Sequence, residues 1–165
     1  MSTKAYVSGV GMVPFQKPGA SESYDVMAAK ATRSALQDAG LSYDLIQQAY
    51  VGYVYGDSTC GQRALYQVGM TGIPILNVNN NCSTGSSALF LARQAVESGA
   101  VECVLALGFE QMKPGAIGSV FEDRVSPFQS FDDETDDLVG SPEIPLALRY
   151  FGGAGKAHMD EFGTP

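Results

Sequence analysis

Apolar and polar positions switch between two periods along most of the chain. Ala5-Tyr6-Val7-Ser8-Gly9-Val10 is short, apolar and bounded by Gly11 and Pro14, so it reads as a strand. From Asp25 to Ala39 the period becomes helical, with Ala28, Ala31, Ala35, Leu36 and Ala39 forming a stripe that stops at Gly40, a residue suited to a left-handed cap. Such an alanine-rich stripe predicts close packing on a sheet. Ala49 to Tyr55 reads as a second strand, Gly61 to Val68 as a short helix, and Ile73 to Val78 as a third strand broken early by Pro74. Ala88, Leu91, Ala92, Ala95 and Val96 then recur at helical spacing as far as Gly99. The continuous apolar run Cys103 to Leu107, ended by Gly108, has the pattern of a central strand covered on both faces. Strands alternating with helices predict an α/β fold with a mostly parallel sheet.

Beyond Met112 the chain turns to Pro, Gly, Ser and acidic residues. Asp132 to Asp137 carries five carboxylates in six positions, a run expected on a solvated loop because like charges this close repel and resist burial. Leu146 to Phe162 is expected to be helical in part, around Arg149, Tyr150, Lys156 and His158.

Composition narrows the class. With 165 residues, 17.4 kDa and 45% hydrophobic residues, the chain is long and apolar enough for one domain with a core. A net charge of −8 and a pI near 4.4 argue against general attraction to nucleic acid or to an anionic membrane. No apolar run reaches membrane-spanning length, and Met1 to Ala20 lacks the pattern of a secretory signal, so a soluble, intracellular protein is expected. Cys60, Cys82 and Cys103 are odd in number and widely spaced, which suits neither a disulfide framework nor a zinc site. With His158 as the single histidine, a His-rich metal site is excluded, and any Ser-His-Asp triad would have to be built around it.

Candidate chemistry centres on Cys82. In Asn79-Asn80-Asn81-Cys82-Ser83-Thr84-Gly85-Ser86-Ser87 it falls on the turn between a predicted strand and a predicted helix. There, free backbone N–H groups and the helix dipole favour a thiolate and could hold a developing oxyanion. Ser83, Gly85, Ser86 and Ser87 leave room for an acyl group. The competing reading is a cysteine that acts as a small buried hydrophobe. Cys60 lies on a similar small-residue turn before a helix and is the one rival, whereas Cys103, inside a strand run, reads as packing. Pro14 stands where a dinucleotide fingerprint needs its third glycine, so Gly9-Val10-Gly11 is not a Rossmann site. His158 reads as a helix-surface or capping residue. Phe109 to Lys113 and Phe121 to Arg124 place polar groups after a strand end, where they could line a pocket or cap a loop.

The segment Ile75 to Ser86 resembles the nucleophile segment of the thiolases, particularly the sterol-carrier-protein type. The resemblance extends over Val51 to Ala64, Gly69 to Pro74, Glu102 to Glu110 and Ala154 to Met159. It implies a thiolase-like layered α/β fold, of which residues 1–112 form an incomplete N-terminal βαβαβαβ half and residues 113–165 part of the family's loop domain. It also implies an acyltransferase reaction, in which Cys82 takes the acyl group of a 3-oxoacyl-CoA as a thioester and coenzyme A, a substrate and not a permanently bound cofactor, accepts it. The matched cysteine's N–H contributes to an oxyanion hole. The activating histidine, a second acid/base cysteine and the Asn/His oxyanion groups belong to a C-terminal half, or a partner subunit, outside this chain. His158 matches a loop-domain position. The last strand of the first half is likewise absent, which predicts an unpaired sheet edge.

The implied partners are acyl-CoA, CoA and a second copy of the chain meeting near Ile73 to Asn81. Arg124, Arg149 and Lys156 are the loop-domain cations on hand for phosphates, without an assigned CoA site. The compartment implied is the cytoplasm for a bacterial source or the peroxisome for a eukaryotic one. The alternatives are a non-catalytic acyl-CoA-binding or assembly module, and a thiolase-like steroid side-chain aldolase, against which the cysteine argues.

Overall fold

The computed structural model describes residues 4–114, 121, 123–140 and 144–165. The chain divides into two compact units, Met1–Lys113 and Pro114–Pro165.

The first unit is built on three parallel strands, β1 (Gln48–Gly52), β2 (Ile75–Val78) and β3 (Val104–Gly108), in the order β2-β1-β3. Helices α1 (Tyr24–Ala39), α2 (Cys60–Leu65) and α3 (Thr84–Glu97) connect and cover them. The two faces follow from side-chain alternation along β1. Ala49 and Val51 meet Ala28 of α1 and Ala64 and Leu65 of α2, together with Leu105 and Leu107 of β3. Tyr50 points the other way, onto Ala88, Ala92 and Ala95 of α3. Of the stripe of α1, Ala28 is essentially inaccessible and Ala31 and Leu36 pack partly buried against the same core, while Ala29, outside the stripe, is buried as well. Gly40 ends that helix at φ 66°, its N–H on Gln37 O and Leu36 O, the left-handed cap predicted for it.

Three predictions of the sequence pattern fail here. Ala5 to Val10 is not a strand. Tyr6, Val7 and Val10 are exposed, and the segment lies against α1, where Gly9 comes so close that a Cβ would sit 2.5 Å from Ala35 O. Val10 N–H donates to the Asp38 carboxylate (2.9 Å) and is not spent in a ladder. The strand buried on both faces is β1. Among the described residues β3 pairs on one side only, with Leu105 and Leu107 buried and Ala106 exposed, so it is an edge and not a centre. β1 also stops at Gly52, three residues short of the predicted end, because the Glu110 carboxylate takes the N–H groups of Val54 and Tyr55 (2.9 and 3.0 Å) that a longer ladder would need.

The second unit holds α4 (Gln129–Val139) and α5 (Leu146–Phe162). The acidic run is therefore helix and not loop. Its repulsion is relieved from α5, where the Arg149 guanidinium pairs with Asp136 and the Tyr150 hydroxyl donates to Asp132. Of the tract Phe121 to Arg124, Glu122 lies outside the described residues, and Arg124 stacks over the Phe121 ring and pairs with Asp123.

Candidate functional site

The turn carrying Cys82 is assembled from both ends. On the strand side, Asn77 of β2 accepts from Gly61 N–H (3.0 Å) and donates to the Gln62 side chain (2.8 Å), while Gln62 donates to Ile75 O (3.0 Å). Two amide side chains thus lace α2 to β2 and hold the strand that delivers the turn. Asn79 Oδ1 accepts from Asn81 N–H (3.1 Å), and Asn81 stands at φ 49°, the left-handed region that asparagine tolerates better than most residues.

On the helix side, Thr84 is buried, at 6% exposure. Its hydroxyl donates to Asn81 O (2.6 Å) and accepts from Asn80 N–H (2.8 Å). Asn80 reaches further along the helix to Ser87 Oγ (2.8 Å). Cys82 sits exposed in the middle of this knot, two residues ahead of α3. In the first turn of α3 the N–H groups of Gly85 and Ser86 have no acceptor among the described residues. Open space surrounds Gly85 where a side chain would be. An exposed sulfur beside unspent donors at the positive end of a 14-residue helix is an arrangement able to stabilise a thiolate or a developing oxyanion.

The rival cysteine has a different setting. Cys60 is buried at the start of α2, its N–H donating to the Tyr53 hydroxyl (3.3 Å). The Tyr24 hydroxyl hydrogen-bonds the Cys60 sulfur, and this bond, with burial, pushes Tyr24 up to about 12. Cys103 is half-buried, and desolvation raises its thiol above the ordinary value, as packing requires.

The other residues singled out from the sequence do not join Cys82. His158 lies on α5 in the second unit, tilted against Phe162 with Thr164 Oγ1 3.2 Å from Nδ1. Arg124, Arg149 and Lys156 each pair with a carboxylate, on Asp123, Asp136 and Asp160. A hollow of about 360 Å³ is lined by Tyr24, Tyr55, Asp57, Thr59, Cys60 and Arg63, and a smaller one of about 200 Å³ lies between the Tyr53 to Ser58 loop and Asn77 to Asn79. Cys82 lines neither. Among the described residues no three of His, Cys, Asp and Glu gather where they could hold a metal ion, and no helix is long and apolar enough to cross a membrane.

Sequence reasoning passed over Thr84 and understated Glu110. The signal for Thr84 was a hydroxyl residue at the start of a helix, three positions after an asparagine, where such side chains bond the preceding backbone.

A parallel sheet between helices, with a cysteine turn leading from β2 into α3, defines the class. A family model for the thiolase N-terminal domain matches residues 6–135, and the chain belongs to the thiolase family. Sterol carrier protein 2 of Homo sapiens is 53% identical over 164 residues, a match that takes in 98% of this chain and 30% of the human protein. The benzoylsuccinyl-CoA thiolase subunit BbsB of Thauera aromatica is 32% identical over 112 residues, covering 67% of this chain and 29% of that subunit. A solved structure described as an Ltp2-ChsH2(DUF35) aldolase shares the fold, with a TM-score of 0.68 at 16% identity over 99% of this chain and 39% of its own. The chain thus spans between 29% and 39% of the length of these proteins.

Proposed function

We propose that this chain is the nucleophile-bearing part of a sterol-carrier-protein-type 3-oxoacyl-CoA thiolase, with Cys82 as the acyl carrier. The observation that carries the reading is the exposed Cys82 thiol on the turn into α3, beside N–H groups of Gly85 and Ser86 that have no acceptor among the described residues. The Cys82 thiolate attacks the 3-oxo carbon of the acyl-CoA, and the bond between C2 and C3 breaks. Acetyl-CoA leaves after its C2 takes up a proton, and the shortened acyl group remains as a thioester on Sγ. The thiol of a second CoA then attacks that thioester, releases Cys82, and leaves as acyl-CoA. The N–H of Cys82 is the oxyanion donor the family implies, and the dipole of α3 favours charge at the same place.

The histidine and second cysteine that move protons in this scheme are assigned by the family to its other half, so turnover draws on groups beyond those of this chain. A second copy of the chain meets it along β2, whose outer edge has no strand partner among the described residues and exposes Leu76.

Intact-protein mass spectrometry of the natively purified protein after mixing with acetoacetyl-CoA, followed by peptide mapping, tests the reading. An acetyl group is expected on Cys82 and is expected to vanish in Cys82→Ser. A wild-type protein that binds acetoacetyl-CoA without acquiring the adduct removes the thioester route and leaves a binding module.

A further inference from the structure

The turn that presents Cys82 depends on one side chain that does no chemistry itself. We infer that Thr84 is a positioning residue for Cys82, its hydroxyl holding the backbone of Asn80 and Asn81 in the shape that sets the thiol at the mouth of α3. The inference rests on the reading of Cys82 as the nucleophile and adds to it the group that fixes its reactivity.

A threonine hydroxyl has one proton to give and two lone pairs to receive, and Thr84 uses it on both sides of the turn. It donates to Asn81 O at 2.6 Å and accepts from Asn80 N–H at 2.8 Å, in a residue that is largely buried. Without it, Asn80 N–H would lose its partner and Asn81 O would keep only the Thr84 backbone N–H (3.1 Å), beside a residue at φ 49°, a conformation that costs an L-residue roughly 1 kcal/mol. The methyl of the same side chain is seated on the end of β1. A Cβ at Gly52 would lie 2.7 Å from Thr84 Cγ2 and 3.1 Å from Thr84 O, so the strand has glycine where the threonine packs. One residue therefore ties the cysteine turn to the central strand through its methyl and shapes the turn through its hydroxyl.

The two halves of this side chain can be separated, because valine keeps Thr84's shape and serine keeps its hydroxyl. The readout is the rate of Cys82 alkylation by iodoacetamide, resolved by peptide mass mapping, with thermal denaturation of each variant in parallel. Thr84→Ser is expected to react within about twofold of wild type. Thr84→Val is expected to react about tenfold more slowly, the factor that corresponds to one lost hydrogen bond, even where its melting temperature is the higher of the two. Packing alone predicts the opposite order. Equal rates in wild type and Thr84→Val overturn the inference, as does a Thr84→Ser rate that falls with valine's. Should Thr84→Val fail to fold, Thr84→Ser against Thr84→Ala makes the same comparison, since both lack the methyl and differ in the hydroxyl alone. There, serine is expected to be the faster by about tenfold, and equal rates overturn the inference. Alkylation needs no acyl transfer, so a wild type that alkylates at Cys82 but forms no thioester with acetoacetyl-CoA defeats the proposed function and leaves the role of Thr84 to be decided by these rates.

Discussion

Two turns in this molecule end in a cysteine at the entrance to a helix, and both place a non-glycine residue with positive φ just before it, Thr59 (67°) ahead of Cys60 and Asn81 (49°) ahead of Cys82. The likeness stops at the sulfur. Cys60 is 5% exposed beneath a stack in which Phe109 lies between Tyr24 and Tyr53, ring centroids 5.1 Å apart on each side. The Tyr24 hydroxyl occupies its sulfur, and the Tyr53 hydroxyl occupies its N–H. Cys82 is exposed, and its turn is tied through backbone groups by Thr84, Asn79 and Asn80, leaving the thiol without a partner among the described residues. A strand-to-helix cysteine is thus packed away or presented to solvent according to what closes over it.

The sharpest way to break the comparison is to label both thiols in the native protein. Iodoacetamide must wait for a local opening to reach Cys60, and an opening that costs about 3 kcal/mol slows it by about 10². Cys82 is expected to react faster than Cys60 by at least that factor. Comparable rates, read by peptide mass mapping, would mean that the aromatic roof over Cys60 opens readily and that the two turns are equivalent.

The next contrast lies in the glycines that follow the two cysteines. A Cβ on Gly61 would fall 2.4 Å from Asn77 Oδ1 and 2.9 Å from Val51 Cβ, whereas Gly85 faces open space. Gly61→Ala is expected to destabilise the protein by about 1–3 kcal/mol, as overpacking does. Gly85→Ala, in the first turn of α3, is expected to be neutral or to stabilise by up to about 1 kcal/mol through helix propensity. Urea denaturation of the pair checks the sign, and equal effects would show that α2 is no more tightly seated than α3.

How far these differences could be read from the sequence depends on what made them. The alternation of periods announced the α/β order, the alanine stripe of α1 and the placing of Cys82 between β2 and α3, because those are local patterns. It also left Cys60 as a rival to Cys82, since nothing within Gly56 to Gln62 tells that Tyr24 and Phe109, each more than thirty residues away, close over it. Strand order is non-local in the same sense. Periodicity cannot distinguish β1 from β3 as the central strand, and the apolar run Ala5 to Val10 reads as a strand although two glycines seat it on α1. The helix over Asp132 to Asp137 was hidden because its neutralising partners, Arg149 and Tyr150, sit on α5.

A smaller effect is expected from the loop that leads from β1 into the Cys60 turn. Glu110 holds Val54 and Tyr55 by two backbone N–H groups and so fixes where β1 gives way to the segment leading to Cys60. Glu110→Gln keeps one acceptor and loses the charge-assisted second bond, an expected cost of about 1–2 kcal/mol. If the comparison holds, the variant raises the labelling rate of Cys60 and leaves that of Cys82 as it was. A parallel rise at both cysteines would show that the sheet end moves as one piece.

The smallest effect at neutral pH belongs to Tyr24, and it appears only in alkali. Its folded pKa of about 12 stands above the ordinary 10, first because its hydroxyl bonds Cys60 and then because it is partly buried. A folded state that holds its proton more tightly than the unfolded one is favoured in full below pH 10 and loses that advantage as pH rises toward 12. Burial also raises Tyr43 and Tyr53, so the wild-type protein has several tyrosines contributing to the decline across this window. Tyr24→Phe removes one of them. Its stability is expected to fall less steeply between pH 10 and 12 than that of the wild type, with no change of slope below pH 10. Denaturation midpoints measured along that range check the sign. A wild-type curve no steeper than the variant's would mean that the bond from Tyr24 does not hold the Cys60 sulfur, and that burial alone separates the two cysteines.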